Sequence, residues 1–257
     1  MANLLRKTLR RAAAIAGGGA ESGGRVAGSD ADDRGQLHES GFHGDAHLLS
    51  LLDRVLPDMT AYIETGANLG STVRYVATRY PSLEVHACEP DAEAATRAEA
   101  HVFGLENAMI YDEPSPEFLY RLHETHPHFD ASLNAYFLDA HGHGFEWPLA
   151  KELAFVTRLP HGVVIVDDCQ VPGRPMFKYS AYAGQTCTLD YIRRAAQPRD
   201  DYTLVVPDYT DRTSPHHPLT GYALLAFGTP VLRLAAEGDE RFRTLPLEAA
   251  ASTTPAA

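Results

Sequence analysis

The stretch AYIETGANLGSTVRYVATRYPSLEVHACEPD, residues 61–91, decides the fold. AYIET reads as a strand, and the turn after it is flanked by Gly66 and Gly70. STVRYVATRY reads as a helix whose N-terminus is held by Ser71 or Thr72. LEVHACE is a second strand, ending at Glu89. Strand, glycine turn, helix, strand and acid make one βαβ unit, the repeat from which parallel sheets are built.

The same alternation extends on both sides. Upstream, DAHLLSLLDRVL (45–56) spaces Leu48, Leu49, Leu52, Val55 and Leu56 for a helix that Pro57 stops. Downstream come DAEAATRAEAHVF, AMIYD, SPEFLYRLHETH, AYFLD, EWPLAKELAFVTRL and GVVIVDD, in helix and strand order. Five strands with helices between them predict an α/β, doubly wound, mostly parallel sheet. CTLDYIRRAA adds a helix, DYTLVVPDY a sixth strand and GYALLAFG a seventh, and the turn-rich TDRTSPHHPLT suits an antiparallel pair at one edge.

Length and composition agree with one globular domain. The 257 residues suit one α/β core. A net charge of −12 argues against general affinity for nucleic-acid phosphates and favours a small-molecule partner. Cys88, Cys169 and Cys187 form no CxxC pair, which points to a reducing, cytoplasmic setting. Residues 1–40 hold a basic stretch with Arg6, Lys7, Arg10 and Arg11, too short in its apolar run for stable membrane insertion, followed by a Gly/Ser/Asp-rich linker. Residues 41–235 are the expected domain and 236–257 an expected disordered tail. Self-association is left open.

In an open parallel sheet, ligands bind beyond the carboxyl ends of the strands. The turn GANLG can bring a ligand close to the backbone, and Glu89, 23 residues beyond Gly66, can accept hydrogen bonds from both hydroxyls of a ribose. Together they point to a nucleoside-containing cofactor. NAD and S-adenosylmethionine both remain open on these residues, although GANLG does not match the GxGxxG of dinucleotide sites.

With IETGANLG and Glu89, the chain resembles the class I S-adenosylmethionine-dependent methyltransferases over residues 45–230. The resemblance implies a seven-stranded Rossmann-like sheet with an antiparallel last strand. It also implies that Glu64, Gly66 and Gly70 line the methionine end of the cofactor, that Glu89 holds the ribose, and that Asp112 is near adenine. Ser71 falls at the helix start in the same site. Asn68 stands where the family has its middle glycine, and asparagine tolerates a left-handed backbone.

Asp139 ends the fourth strand and Asp167 and Asp168 end the fifth, so all three should meet on one rim. Carboxylates so close repel unless a cation or protons neutralise them, and oxygen ligands suit Mg²⁺, Mn²⁺ or Ca²⁺. The arrangement resembles metal-dependent O-methyltransferases, which implies that a divalent ion, Mg²⁺ first, activates a hydroxyl of a sugar or phenol. His141 is then the general base, with Asp139 beside it, and His143 a weaker candidate for base or ligand. The aromatic-rich loop after the fifth strand, with Phe177, Tyr179 and Tyr182, reads either as a substrate lid or as a packing or dimer contact. The lone Trp147 reads as packing of the fourth helix. The rival functions are an NAD-dependent oxidoreductase and a non-catalytic scaffold of the same fold.

Overall fold

The structure, a computed structural model, describes residues 41–141, 146–182, 184–211 and 219–246. The basic N-terminal segment, His143 and the last eleven residues lie outside them.

The strands β1 (Ala61–Thr65), β2 (Glu84–Cys88), β3 (Ala108–Tyr111), β4 (Asn134–Leu138) and β5 (Gly162–Val166) are parallel, with β1 between β2 and β4. Every residue of β1, β4 and β5 is buried, as expected where helices cover both faces of a sheet. The crossovers carry α2 (Ser71–Arg79), α3 (Ala92–His101), α4 (Ser115–Thr125) and α5 (Leu149–Val156), after an initial α1 (Ala46–Leu52). A two-stranded hairpin, β6 (Ala181–Tyr182) and β7 (Gln185–Thr186), precedes α6 (Leu189–Ala195). Then β8 (Thr203–Pro207) and β9 (Ala223–Phe227) complete the seven expected strands, β9 running antiparallel to both β5 and β8.

The sheet has an eighth strand. After α7 (Val231–Ala236), β10 (Phe242–Leu245) pairs antiparallel with β8 at the edge, giving the order β10-β8-β9-β5-β4-β1-β2-β3. This corrects the expected count of seven and gives structure to part of the stretch read as a tail. Only Phe242 of the four residues is buried, so the strand carries too short an apolar pattern to be seen without β8 beside it. Two local expectations also change. Gly70, at φ +77°, is the N-cap of α2 in place of Ser71 or Thr72, because the backbone enters the helix from a left-handed turn. The first helix stops at Leu52, and Leu56–Asp58 form a separate 3₁₀ turn around Pro57.

Asp45 joins three of these elements. Its carboxylate accepts the N–H groups of His47 and Leu48 at 3.0 Å, capping α1, and accepts the hydroxyl of Tyr209, which also contacts the Tyr222 hydroxyl at 2.9 Å. Replacing Asp45 by Ala leaves the helix uncapped and the Tyr209 hydroxyl without its acceptor. The expected cost is about 1–3 kcal/mol, read as a lower urea midpoint at unchanged slope. An unaltered midpoint would show that the cap is dispensable.

Candidate functional site

Strand register builds the site. Thr65, Leu138 and Val166 lie abreast in β1, β4 and β5. The ladder runs one bond further, from Asp139 N–H to the Thr65 carbonyl (3.1 Å) and from Asp167 N–H to the Leu138 carbonyl (3.2 Å), so the two aspartates leave the sheet side by side. Gly66 leaves next to them at φ +79°, where an added β-carbon would stand 2.5 Å from the Asp139 carbonyl oxygen. Both the turn and this close approach require glycine.

The glycine turn is tied to the end of β2. Glu89 accepts the N–H of Asn68 at 2.8 Å and that of Asp91 at 2.9 Å, one on each carboxylate oxygen. Asn68 takes φ +47°, the left-handed backbone expected of it. The cap of α3 is Asp91, which leaves the second lone pairs of Glu89 for a ligand. Glu64 is buried and accepts the Tyr62 hydroxyl at 2.9 Å. Burial pushes its carboxyl well above the usual range against that bond, and Asp139, Asp167 and Glu89 add to the effect.

Beside the rim lies a cavity of about 190 Å³ walled by Gly66, Glu89, Pro90, Ser115, His141 and Pro148 among others. Of the residues expected to hold a cofactor, Gly66 and Glu89 line it directly, whereas Glu64, Asn68, Gly70, Ser71 and Asp112 do not. Asp112 is exposed in the loop after β3, and Ser115 stands at the cavity in that region.

The acids after β4 and β5 divide between two sets of partners. His141 Nε2 is 2.8 Å from Asp139 and 3.2 Å from Asp168. Tyr182 donates its hydroxyl to Asp168 at 3.0 Å and meets His141 Nδ1 at 2.6 Å. Asp168 holds φ +52°, a strained backbone for a non-glycine residue. Asp167, its side chain 6 % exposed, accepts instead from Nε2 of His43 at 2.9 Å. Among the described residues, three ligand atoms that all lie within 4.8 Å of one another come from His43, Asp139 and Asp167. Asp168 is not in that group.

These contacts set the charges. Burial and the neighbouring Asp167 raise the Asp139 carboxyl, and the histidines only partly reverse it, leaving it at about 7. Burial opposes protonation of His141, but Asp139, Asp168 and Asp167 overcome it and hold the ring at about 9. A cation bound among the acids would lower that value.

The roles of His43 and Tyr182 are not legible in the sequence. His43 sits in GFHG, with no spacing that ties it to the strand ends, and Tyr182 was one aromatic of several in the loop. Trp147, expected to pack a helix, stacks on Tyr191 at 4.9 Å and lies 5.4 Å from Tyr182, so it braces the hairpin over the site.

No protein-family model and no curated protein matches the sequence. Solved structures do match. The O-methyltransferase TomG of Streptomyces achromogenes, involved in tomaymycin synthesis and solved with S-adenosylmethionine, aligns with a TM-score of 0.53 at 19% identity, over 75% of this chain and 82% of its own. A Klebsiella pneumoniae protein taken to be an O-methyltransferase aligns with a TM-score of 0.50 at 20% identity, over 74% and 81%. The chain has the Rossmann-like fold of the class I S-adenosylmethionine-dependent methyltransferases, with one strand added at the edge.

Ser115 connects the cavity to a buried acid. Glu152 of α5 is 1 % exposed, and neither of its oxygens, nor the hydroxyls of Ser115 and Thr65 beside it, makes a hydrogen bond of good geometry. Burial raises its carboxyl from 4.5 to about 7, against the opposing effect of the two hydroxyls. An acid whose folded pKa exceeds its unfolded value binds more protons when folded, so stability falls as pH rises through that window. Glu152→Gln should remove roughly 2–3 kcal/mol of that fall between pH 5 and pH 8, measured by urea unfolding. Parallel wild-type and variant profiles would mean that Glu152 ionises normally. Gly66→Ala should cost about 1–3 kcal/mol and displace Asp139; an unchanged melting curve would show that the turn has room to relax.

Proposed function

We propose that the chain is an S-adenosylmethionine-dependent O-methyltransferase acting, with a divalent cation, on a hydroxyl of a small molecule such as a sugar or phenol of a natural product. The observation that carries this reading is the convergence of Glu89, Asp139, Asp167 and Asp168 on one rim, beside a cavity that Gly66 and Glu89 line. Such a rim favours a ligand with cationic centres, as S-adenosylmethionine has in its sulfonium and ammonium groups. The pyrophosphate of NAD would add negative charge to it, which disfavours the oxidoreductase alternative. A scaffold would have no use for acids that repel one another.

The donor set fits a divalent ion: two carboxylates and an imidazole converge, and Oδ1 of Asp139 is out of solvent contact. When bound, S-adenosylmethionine supplies a methyl group open to displacement by oxygen, and a divalent ion lowers the pKa of the hydroxyl that attacks. The residues of the chain bind and orient. Glu89 has acceptor capacity for ribose hydroxyls, and Glu64 and Gly66 border the methionine end. Tyr182, which donates to Asp168, accepts from Nδ1 of His141, and Nε2, which faces Asp139 and Asp168, would take the acceptor's proton once a bound cation offsets the acids that keep it protonated. Trp147, Tyr182 and Tyr191 cover the site from the hairpin side and limit water there. Among the described residues no helix is long and apolar enough to cross a membrane, and three buried free cysteines suit a cytoplasmic setting.

S-adenosylhomocysteine should raise the melting temperature and NAD should not. Glu89→Ala should weaken S-adenosylhomocysteine at least about tenfold in calorimetry, the loss of hydrogen bonds to a charged acceptor. Stabilisation by NAD alone would replace this reading with the oxidoreductase.

A further inference from the structure

His43 lies outside the acids that the strand ends bring together, yet the fold holds it among them. Phe42 is buried against Phe137, with ring centroids 5.1 Å apart, and against Tyr62 at 6.1 Å. Its N–H reaches the Thr72 hydroxyl of α2 at 3.4 Å. Phe42 and His43 both adopt left-handed backbone, φ +54° and +53°, a conformation that costs about 1–3 kcal/mol per non-glycine residue and persists only where packing imposes it. The anchored Phe42 thus delivers His43 to the rim, where Nε2 stands 2.9 Å from Asp167 Oδ2. Across from it, Asp139 Oδ1 is out of solvent contact and lies 2.8 Å from His141 Nε2. Asp168 is engaged by Tyr182 and His141 on the hairpin side.

We propose that the divalent ion is held by His43, Asp139 and Asp167, one imidazole nitrogen and two carboxylates, and that this donor set selects a first-row transition ion such as Mn²⁺ or Co²⁺ over Mg²⁺. The proposal rests on the metal-assisted reading above, and it differs from the expectation drawn from the sequence in the third ligand, His43 in place of Asp168, and in the choice of ion. Imidazole adds affinity for transition ions and little for Mg²⁺, which prefers oxygen and retains its waters. The segment before α1 is therefore part of the site, and Asp168 serves to hold Tyr182 and His141.

The test uses the full chain stripped with EDTA and dialysed. Co²⁺ binding is followed by its visible absorption and by competition with Mg²⁺, and the Mn²⁺-loaded protein is examined by pulsed EPR for modulation from an imidazole ¹⁴N. The wild type should bind Co²⁺ at least about a hundredfold more tightly than Mg²⁺, and show the nitrogen signal. His43→Ala should lose that signal and weaken Co²⁺ at least about tenfold, with Mg²⁺ affinity nearly unchanged. His141→Ala should keep the signal. S-adenosylhomocysteine binding without metal, measured on each variant, reports folding and the cofactor reading separately. The proposal is overturned if the wild type binds no Co²⁺, if it shows no nitrogen signal or prefers Mg²⁺, or if the signal survives His43→Ala and disappears in His141→Ala.

Discussion

The in-register pairing of β1, β4 and β5 is the constraint on which the rest depends. Parallel strands aligned residue by residue send their next residues out of the sheet at the same edge, and here those residues are Gly66, Asp139 and Asp167. Two carboxylates side by side at the edge of a hydrophobic sheet repel each other and are costly to desolvate. Much of the surrounding architecture answers that cost. Glu64 takes a phenol, Glu89 two backbone N–H groups, Asp167 an imidazole, and Asp168 a phenol and an imidazole. Asp139 shares the His141 imidazole with Asp168, and burial beside Asp167 still raises its carboxyl, which makes the rim an attractive seat for positive charge.

The compensating groups come from parts of the chain far apart in sequence. His43 arrives from before the first strand and Tyr182 from a hairpin after the fifth, so the site is closed from two directions. Each is fixed by packing of its own: Phe42 among the aromatics of β1 and β4 on one side, Trp147 and Tyr191 on the other. The rim is thus rigid at its strand ends, and its chemistry is trimmed by loops, the usual division in open α/β sheets.

Much of this was legible in the amino-acid order. The alternation of apolar runs with helical spacing defines seven of the eight strands of the main sheet, and the acids after AYFL and GVVIV point to the rim where they are found. Asn68, a residue type that tolerates a left-handed backbone, has one. The eighth strand was missed because FRTL is too short to carry a period and becomes a strand only by pairing with β8. The cap of α2 was misplaced because Ser71 and Thr72 are good capping residues, whereas the turn geometry needs the positive φ that Gly70 supplies.

By itself, the sequence determined the fold class, the edge of the sheet where chemistry belongs and the acids that end there, since these follow from local periodicity and from the direction of parallel strands. Only the tertiary structure decided which bases face those acids. Pairing of His43 with Asp167 spans 124 residues and that of Tyr182 with His141 spans 41, and neither has a local pattern. Such contacts depend on how loops pack against a finished sheet, and no one-dimensional period records that packing.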